Sequence, residues 1–125
     1  MFYVMTSINK SNKVERFEEV DKVTVMLFYA TWCPHCETYL QTGKFDTFDE
    51  ACAEAGITHV EFKKFDYDKN KELGEQYDIS GFPSIIATNG KEKKFVFYGN
   101  RENAADIVKF VKAVKSGKEL TRTDY

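Results

Sequence analysis

The chain has 125 residues, 42% of them hydrophobic and 15% aromatic, with a formal net charge of −2. That length suits a single domain, residues 1–125, with a core of ordinary size. The near-neutral balance leaves no footprint for nucleic acid, and no apolar stretch approaches the roughly 18 residues a membrane span needs.

In chain order, residues 3–7 read as a short edge strand and residues 12–20 as a helix with Val14 and Phe17 on one face and Ser11 as N-cap. Val23–Tyr29 is a β-branched and aromatic run, the mark of a buried strand. A helix follows from Pro34 and breaks at Gly43. A second helical stretch, 45–55, ends at Gly56 as at a helix C′ position. Residues 59–65 form the next strand, and Asp68 or Asn70 caps a short helix reaching Tyr77. Gly81-Phe-Pro83 turns the chain into strand Ser84–Thr88. Asn89-Gly90 signals a tight hairpin into strand 93–98, with the Lys91–Lys94 cluster at its solvated tip. In the last helix, 103–114, Ile107, Phe110, Val111 and Val114 share one face. The early crossovers predict parallel strands and the hairpin an antiparallel last pair, hence an α/β mixed sheet with helices on both faces.

The chemistry concentrates at Cys33-Pro-His-Cys36, where the strand ends and the helix begins. Free N–H groups and the helix dipole at such a place favour a thiolate. Cys33 is therefore the candidate nucleophile and Cys36, one turn inward, the resolving thiol. Pro34 suits the first helical turn. His35 is placed to offer an imidazolium to the Cys33 sulfur, which favours the reduced form and makes the disulfide a stronger oxidant.

Four ordered blocks carry a resemblance: Phe28-Tyr-Ala-Thr-Trp-Cys-Pro-His-Cys36, Lys64-Phe-Asp-Tyr-Asp68, Tyr77-Asp-Ile-Ser-Gly-Phe-Pro-Ser84 and Tyr98-Gly-Asn-Arg101 before the last helix. Over roughly residues 20–115 the chain resembles the thioredoxin superfamily, most of all the catalytic domains of protein disulfide isomerases. The Pro-His dipeptide is similar to that of DsbA oxidants. The resemblance implies a thioredoxin fold and thiol–disulfide exchange with protein substrates, without a bound cofactor or metal. It further implies a cis Pro83 beside the sulfurs, Phe82 backbone groups that pair with substrate, and Trp32 packed at the site. Lys64 falls at a buried-lysine position suited to moving protons; its alternative is a strand-end lysine facing water. Arg101 matches an arginine that lowers the resolving cysteine's pKa; its alternative is a surface residue capping the last helix.

Three departures stand out. Leu27 occupies the position where the family carries a buried Asp or Glu that takes the resolving thiol's proton, so slow resolution is expected. Gln41 replaces a kinking proline, and Gly43 supplies the break. Cys33 and Pro83 are 50 positions apart, longer than usual, with the extra length around residues 43–49; a lengthened helix is the simpler reading and an exposed loop the alternative. Cys52 reads as a small buried hydrophobe.

The opening segment has no basic leader or signal-peptide core, and the last residues carry no ER-retrieval signal. A cytoplasmic monomer is therefore expected, recharged by thioredoxin reductase or glutathione. Electron flow is open between a reductase and an oxidase or isomerase. Two other classes compete: a non-catalytic partner subunit of the same fold, and a zinc module drawing on Cys33, Cys36, Cys52 and His59.

Overall fold

A computed structural model of the protein describes residues 22–90 and 93–125. The strand expected at 3–7 and the helix expected at 12–20 lie outside the described residues. Strand β1 (Val23–Tyr29) is buried on both faces, which is why its sequence is almost uninterrupted in apolar residues. Val23, Val25 and Leu27 point into one layer, Met26 and Phe28 into the other.

From β1 the chain enters α1 (Pro34–Thr42), closed by Gly43 in the left-handed region at φ 67°. A 3₁₀ turn (Phe45–Thr47) and α2 (Phe48–Glu54) complete the crossover to β2 (Val60–Asp66), parallel to β1. The extra length near Gly43 is thus a packed turn, and neither a longer helix nor an exposed loop. Phe45 is buried edge-on against Phe48 and Phe62, at 5.9 and 5.7 Å between centroids.

After β2 come a 3₁₀ turn (Tyr67–Lys69) and the short α3 (Lys71–Gln76). Strand β3 (Ser84–Thr88) then runs antiparallel to β1, with Phe28 opposite Ser84. The expectation of parallel crossovers therefore holds for β1 and β2 but not here. The six-residue α3 spans only about 9 Å, and β3 starts at the sheet edge where β1 ends. That reversal sets Pro83, immediately before β3, at the same end of the sheet as Cys33. The hairpin leads to β4 (Lys94–Val96), antiparallel to β3, giving the order β2-β1-β3-β4.

Helix α4 (Ala104–Lys115) is capped by Asn103, whose Oδ1 accepts from Ala105 N–H at 2.8 Å. Its apolar stripe, Ile107, Phe110, Val111 and Val114, is buried with Tyr39, Phe48, Cys52 and the inner face of β1. Each such large side chain contributes about 1.5–3 kcal/mol by leaving water. The opposite face is covered by Leu73, Tyr77 and Ile79 around α3. Among the described residues no helix is long and apolar enough to cross a membrane.

Candidate functional site: a dithiol at the start of α1

Cys33 is the N-cap of α1 in extended conformation, with Pro34 in the first turn where its missing N–H costs nothing. Cys33 Sγ accepts the Cys36 N–H at 3.3 Å and lies 3.9 Å from the Phe82 carbonyl oxygen. All three cysteines are free thiols. The Cys33 thiol is held below the ordinary thiol value. The hydrogen bond from the Cys36 side chain is the largest cause, burial opposes it, and the N–H groups of Cys36 and His35 add to it. Cys36 is fully buried and pushed up to about 11, by burial first and then by the Cys33 side chain; the Arg101 guanidinium pulls the other way. One helical turn thus separates a thiol disposed to ionise from one disposed to keep its proton.

His35 bears on Cys33 through its backbone N–H. Its ring is exposed and lines a recess of about 390 Å³ with Tyr39 and Arg101. Arg101 does not cap the last helix; Asn103 does. The guanidinium lies 5.6 Å from the Tyr39 ring centroid, and the Tyr39 hydroxyl donates to the Arg101 carbonyl at 2.7 Å. Burial pushes the Tyr39 phenol up to about 12, so it stays a donor.

Lys64 does not join the thiols. Its ammonium is partly exposed and pairs with Asp46 Oδ1 at 2.9 Å. The cause is the 3₁₀ turn, which brings Asp46 over β2, so the proton-moving role expected of Lys64 has no support in its placement. Leu27, its neighbour across β1 and β2, is fully buried in apolar surroundings. No carboxylate is among the groups that set the Cys36 pKa.

The Phe82–Pro83 peptide is cis. The Phe82 ring is edge-on to Trp32 (5.7 Å between centroids) and to Tyr67 (5.1 Å). Trp32 is 64% exposed, and its Nε1–H donates to Asp68 Oδ2 at 3.0 Å. Asp68 therefore does not cap α3. Asn70 holds the N-cap position without a side-chain cap bond, and its amide donates instead to the Asp66 carbonyl at 2.8 Å. Gly74 makes room for this arrangement, since a Cβ there would meet the Tyr67 ring at 2.3 Å.

Tyr39, Tyr67 and Asp68 are the members of the site that sequence reasoning missed. Tyr39 stands one turn beyond Cys36 on α1, a spacing that places both on one face. Cys52 is fully buried in the main core, and burial pushes its thiol up to about 11. His59 is exposed at the entry to β2. Among the described residues no three or more His, Cys, Asp or Glu side chains are grouped to hold a metal ion.

A mixed sheet of four strands among the described residues, a dithiol at the first turn of α1 and a cis-proline next to the Phe82 carbonyl that lies against Cys33 define a thioredoxin-fold domain of the dithiol class. The Thioredoxin family pattern matches residues 4–113, and the chain belongs to that family. It is similar to protein disulfide-isomerase 1 of Caenorhabditis elegans, with 31% identity over 86% of this chain and 22% of that protein. A probable protein disulfide-isomerase A6 of Medicago sativa is 32% identical over 82% of this chain and 28% of its own length. The chain thus spans about a quarter of these relatives. The first thioredoxin domain of mouse protein disulfide-isomerase A4 superposes with a TM-score of 0.64 at 22% identity, covering 84% of this chain and 71% of that one.

Proposed function

We propose that this domain is a thiol–disulfide oxidoreductase acting on protein substrates. The observation that carries the reading is the Cys33 sulfur, held by the Cys36 N–H and facing the Phe82 carbonyl beside a cis-proline. Cys33 thiolate attacks one sulfur of a substrate disulfide and forms a mixed disulfide. The other substrate sulfur leaves as a thiolate and takes up a proton. Cys36 then loses its proton and attacks the Cys33 sulfur, closing Cys33–Cys36 and releasing the second substrate thiolate. Two electrons pass to the substrate; run backwards, the same steps oxidise it.

No carboxylate is among the groups that act on Cys36, and Leu27 stands where the resemblance places the family's buried acid, so the proton leaves for water or for the exposed His35. The mixed disulfide is therefore long-lived. Phe82 backbone groups receive an extended substrate segment, and glutathione or a thioredoxin reductase returns the dithiol. The relatives named as disulfide isomerases support this activity class. Insulin reduction and refolding of a scrambled disulfide protein test it; inertness in both, with the thiols free, favours a non-catalytic partner role. A glutathione redox titration decides direction. A potential near the cytosolic glutathione poise or below it means a reductase, and a clearly oxidising one means an oxidase or isomerase.

A further inference from the structure

Beside Pro83 a groove of about 400 Å³ runs along the β3–β4 edge, with Ser84, Tyr98, Arg101 and Arg122 in its lining. Arg122 comes from the last turn of the chain, beyond residue 113 where the family match ends. That turn is held in place by several contacts. Gly117 reverses the chain after α4 at φ 74°, and Leu120 is buried. The Thr121 and Asp124 side chains and backbones cap each other in the 3₁₀ turn Arg122–Asp124. Tyr125 rests edge-on against Phe97 at 5.3 Å. Gly99 permits that contact, because a Cβ there would come within 2.8 Å of both rings.

Both arginines are held over tyrosines: Arg122 lies 5.6 Å from the Tyr98 centroid, as Arg101 does from Tyr39. Among the described residues neither has a carboxylate partner, since every ion pair is made by a lysine. Of the acids around them, Asp106 Oδ2 accepts the Asn100 N–H at 2.8 Å and Asp124 Oδ2 accepts the Thr121 N–H at 2.6 Å, while Glu102, next to Arg101, is exposed and lines the neighbouring recess. The groove's other charges are Lys94, whose Nζ donates to the Tyr77 carbonyl at 2.6 Å, and Asp78. In a chain of net charge −2, this is a local cationic recess bordered by Pro83, which follows the Phe82 carbonyl that lies against Cys33 Sγ.

We propose that the groove selects protein substrates with an Asp or Glu side chain close to the target cysteine, and that Arg101 and Arg122 receive its carboxylate. Planar guanidinium groups held over tyrosine rings and without a carboxylate partner among the described residues are suited to that contact. The inference rests on the oxidoreductase reading and adds a substrate class to it.

The test uses the full reduced protein and cysteine peptides disulfide-linked to thionitrobenzoate, flanked by Glu, by Gln or by Lys. The Glu peptide is expected to react about fivefold faster than the Gln peptide at low salt, with the Lys peptide slowest. Raising salt to about 0.15 M shrinks the spread, and Arg122→Gln lowers the Glu-over-Gln ratio by about threefold. Equal rates for Glu and Gln peptides, or a ratio untouched by Arg122→Gln, overturn this inference alone. No exchange with any peptide overturns the oxidoreductase reading with it.

Discussion

Cys33 and Cys36 are three residues apart, yet their surroundings are opposite. Cys33 sits at the open end of α1, with N–H and S–H donors converging on its sulfur. Cys36 is fully buried in a cluster with Ala30 and Cys33 against Tyr29 and Phe82, with Arg101 the favourable charge that reaches it. The contrast teaches that a helix N-terminus does not ionise every thiol near it. Donors must reach the sulfur, and burial must not outweigh them. On the proposed reading, a site so divided attacks readily and releases slowly.

The largest effect that breaks the comparison is removal of one sulfur. Cys33→Ser should lower exchange by about a thousandfold or more. Cys36→Ser should keep the first attack and accumulate the mixed disulfide, seen by mass spectrometry. Cys36→Ala, which removes the largest influence on Cys33, should move its alkylation midpoint up toward the ordinary thiol value. An unmoved midpoint would mean that the helix backbone alone sets the nucleophile.

The burial of Cys36 carries the next largest effect. Burial is the largest cause of the rise of Cys36 to about 11, and it persists in the mixed disulfide, where the hydrogen bond and charge of Cys33 no longer add to it. While burial holds the thiol above its ordinary value, its thiolate fraction falls as pH falls. Release should therefore quicken about tenfold per pH unit from neutral pH upward. Leu27→Glu supplies the missing base and should speed release by about tenfold at neutral pH, flattening that profile. It should also cost about 2–4 kcal/mol of stability, because a carboxyl group replaces a fully buried leucine. If the Leu27→Glu protein folds and its release stays slow, the absent acid is not what limits it. Tyr39→Phe probes the other side of Cys36. It keeps the ring beneath Arg101 but loses the bond to the Arg101 carbonyl, about 1 kcal/mol. Release should slow two- to threefold by that loosening, about the range one such bond allows, while Cys33 alkylation stays unchanged.

Much of this was legible in the chain, and the reasons are local. The apolar run of β1, the i, i+3, i+4, i+7 stripe of α4 and the glycine at the end of α1 are each set by neighbours within a few residues. So is the strand-to-helix setting of Cys33. What escaped depends on where separate segments meet. Asp68 has the composition of a helix cap, and only the approach of Trp32 from across the site claims its carboxylate. The direction of β3 follows from how little distance α3 covers, which no periodicity reports. Tyr39 looks like any core aromatic until Arg101, 62 residues on, presents its carbonyl.

Lys64 is the smallest effect and the sharpest check on the division between the thiols. It pairs with Leu27 across β1 and β2, and the resemblance gives a lysine at this position a part in moving protons. Its ammonium instead pairs with Asp46, with 41% and 60% of the two side chains exposed. A pair so exposed is worth little, because water screens it. Lys64→Met should therefore leave release of the mixed disulfide unchanged and shift stability by no more than about 0.5 kcal/mol. Asp46→Asn discriminates further. If Lys64 is held away from Cys36 by this carboxylate, freeing it should hasten release, and only in the presence of Lys64. A Lys64→Met variant that slows release would instead show that the lysine leaves Asp46 during turnover and reaches Cys36, as the Arg101 charge does.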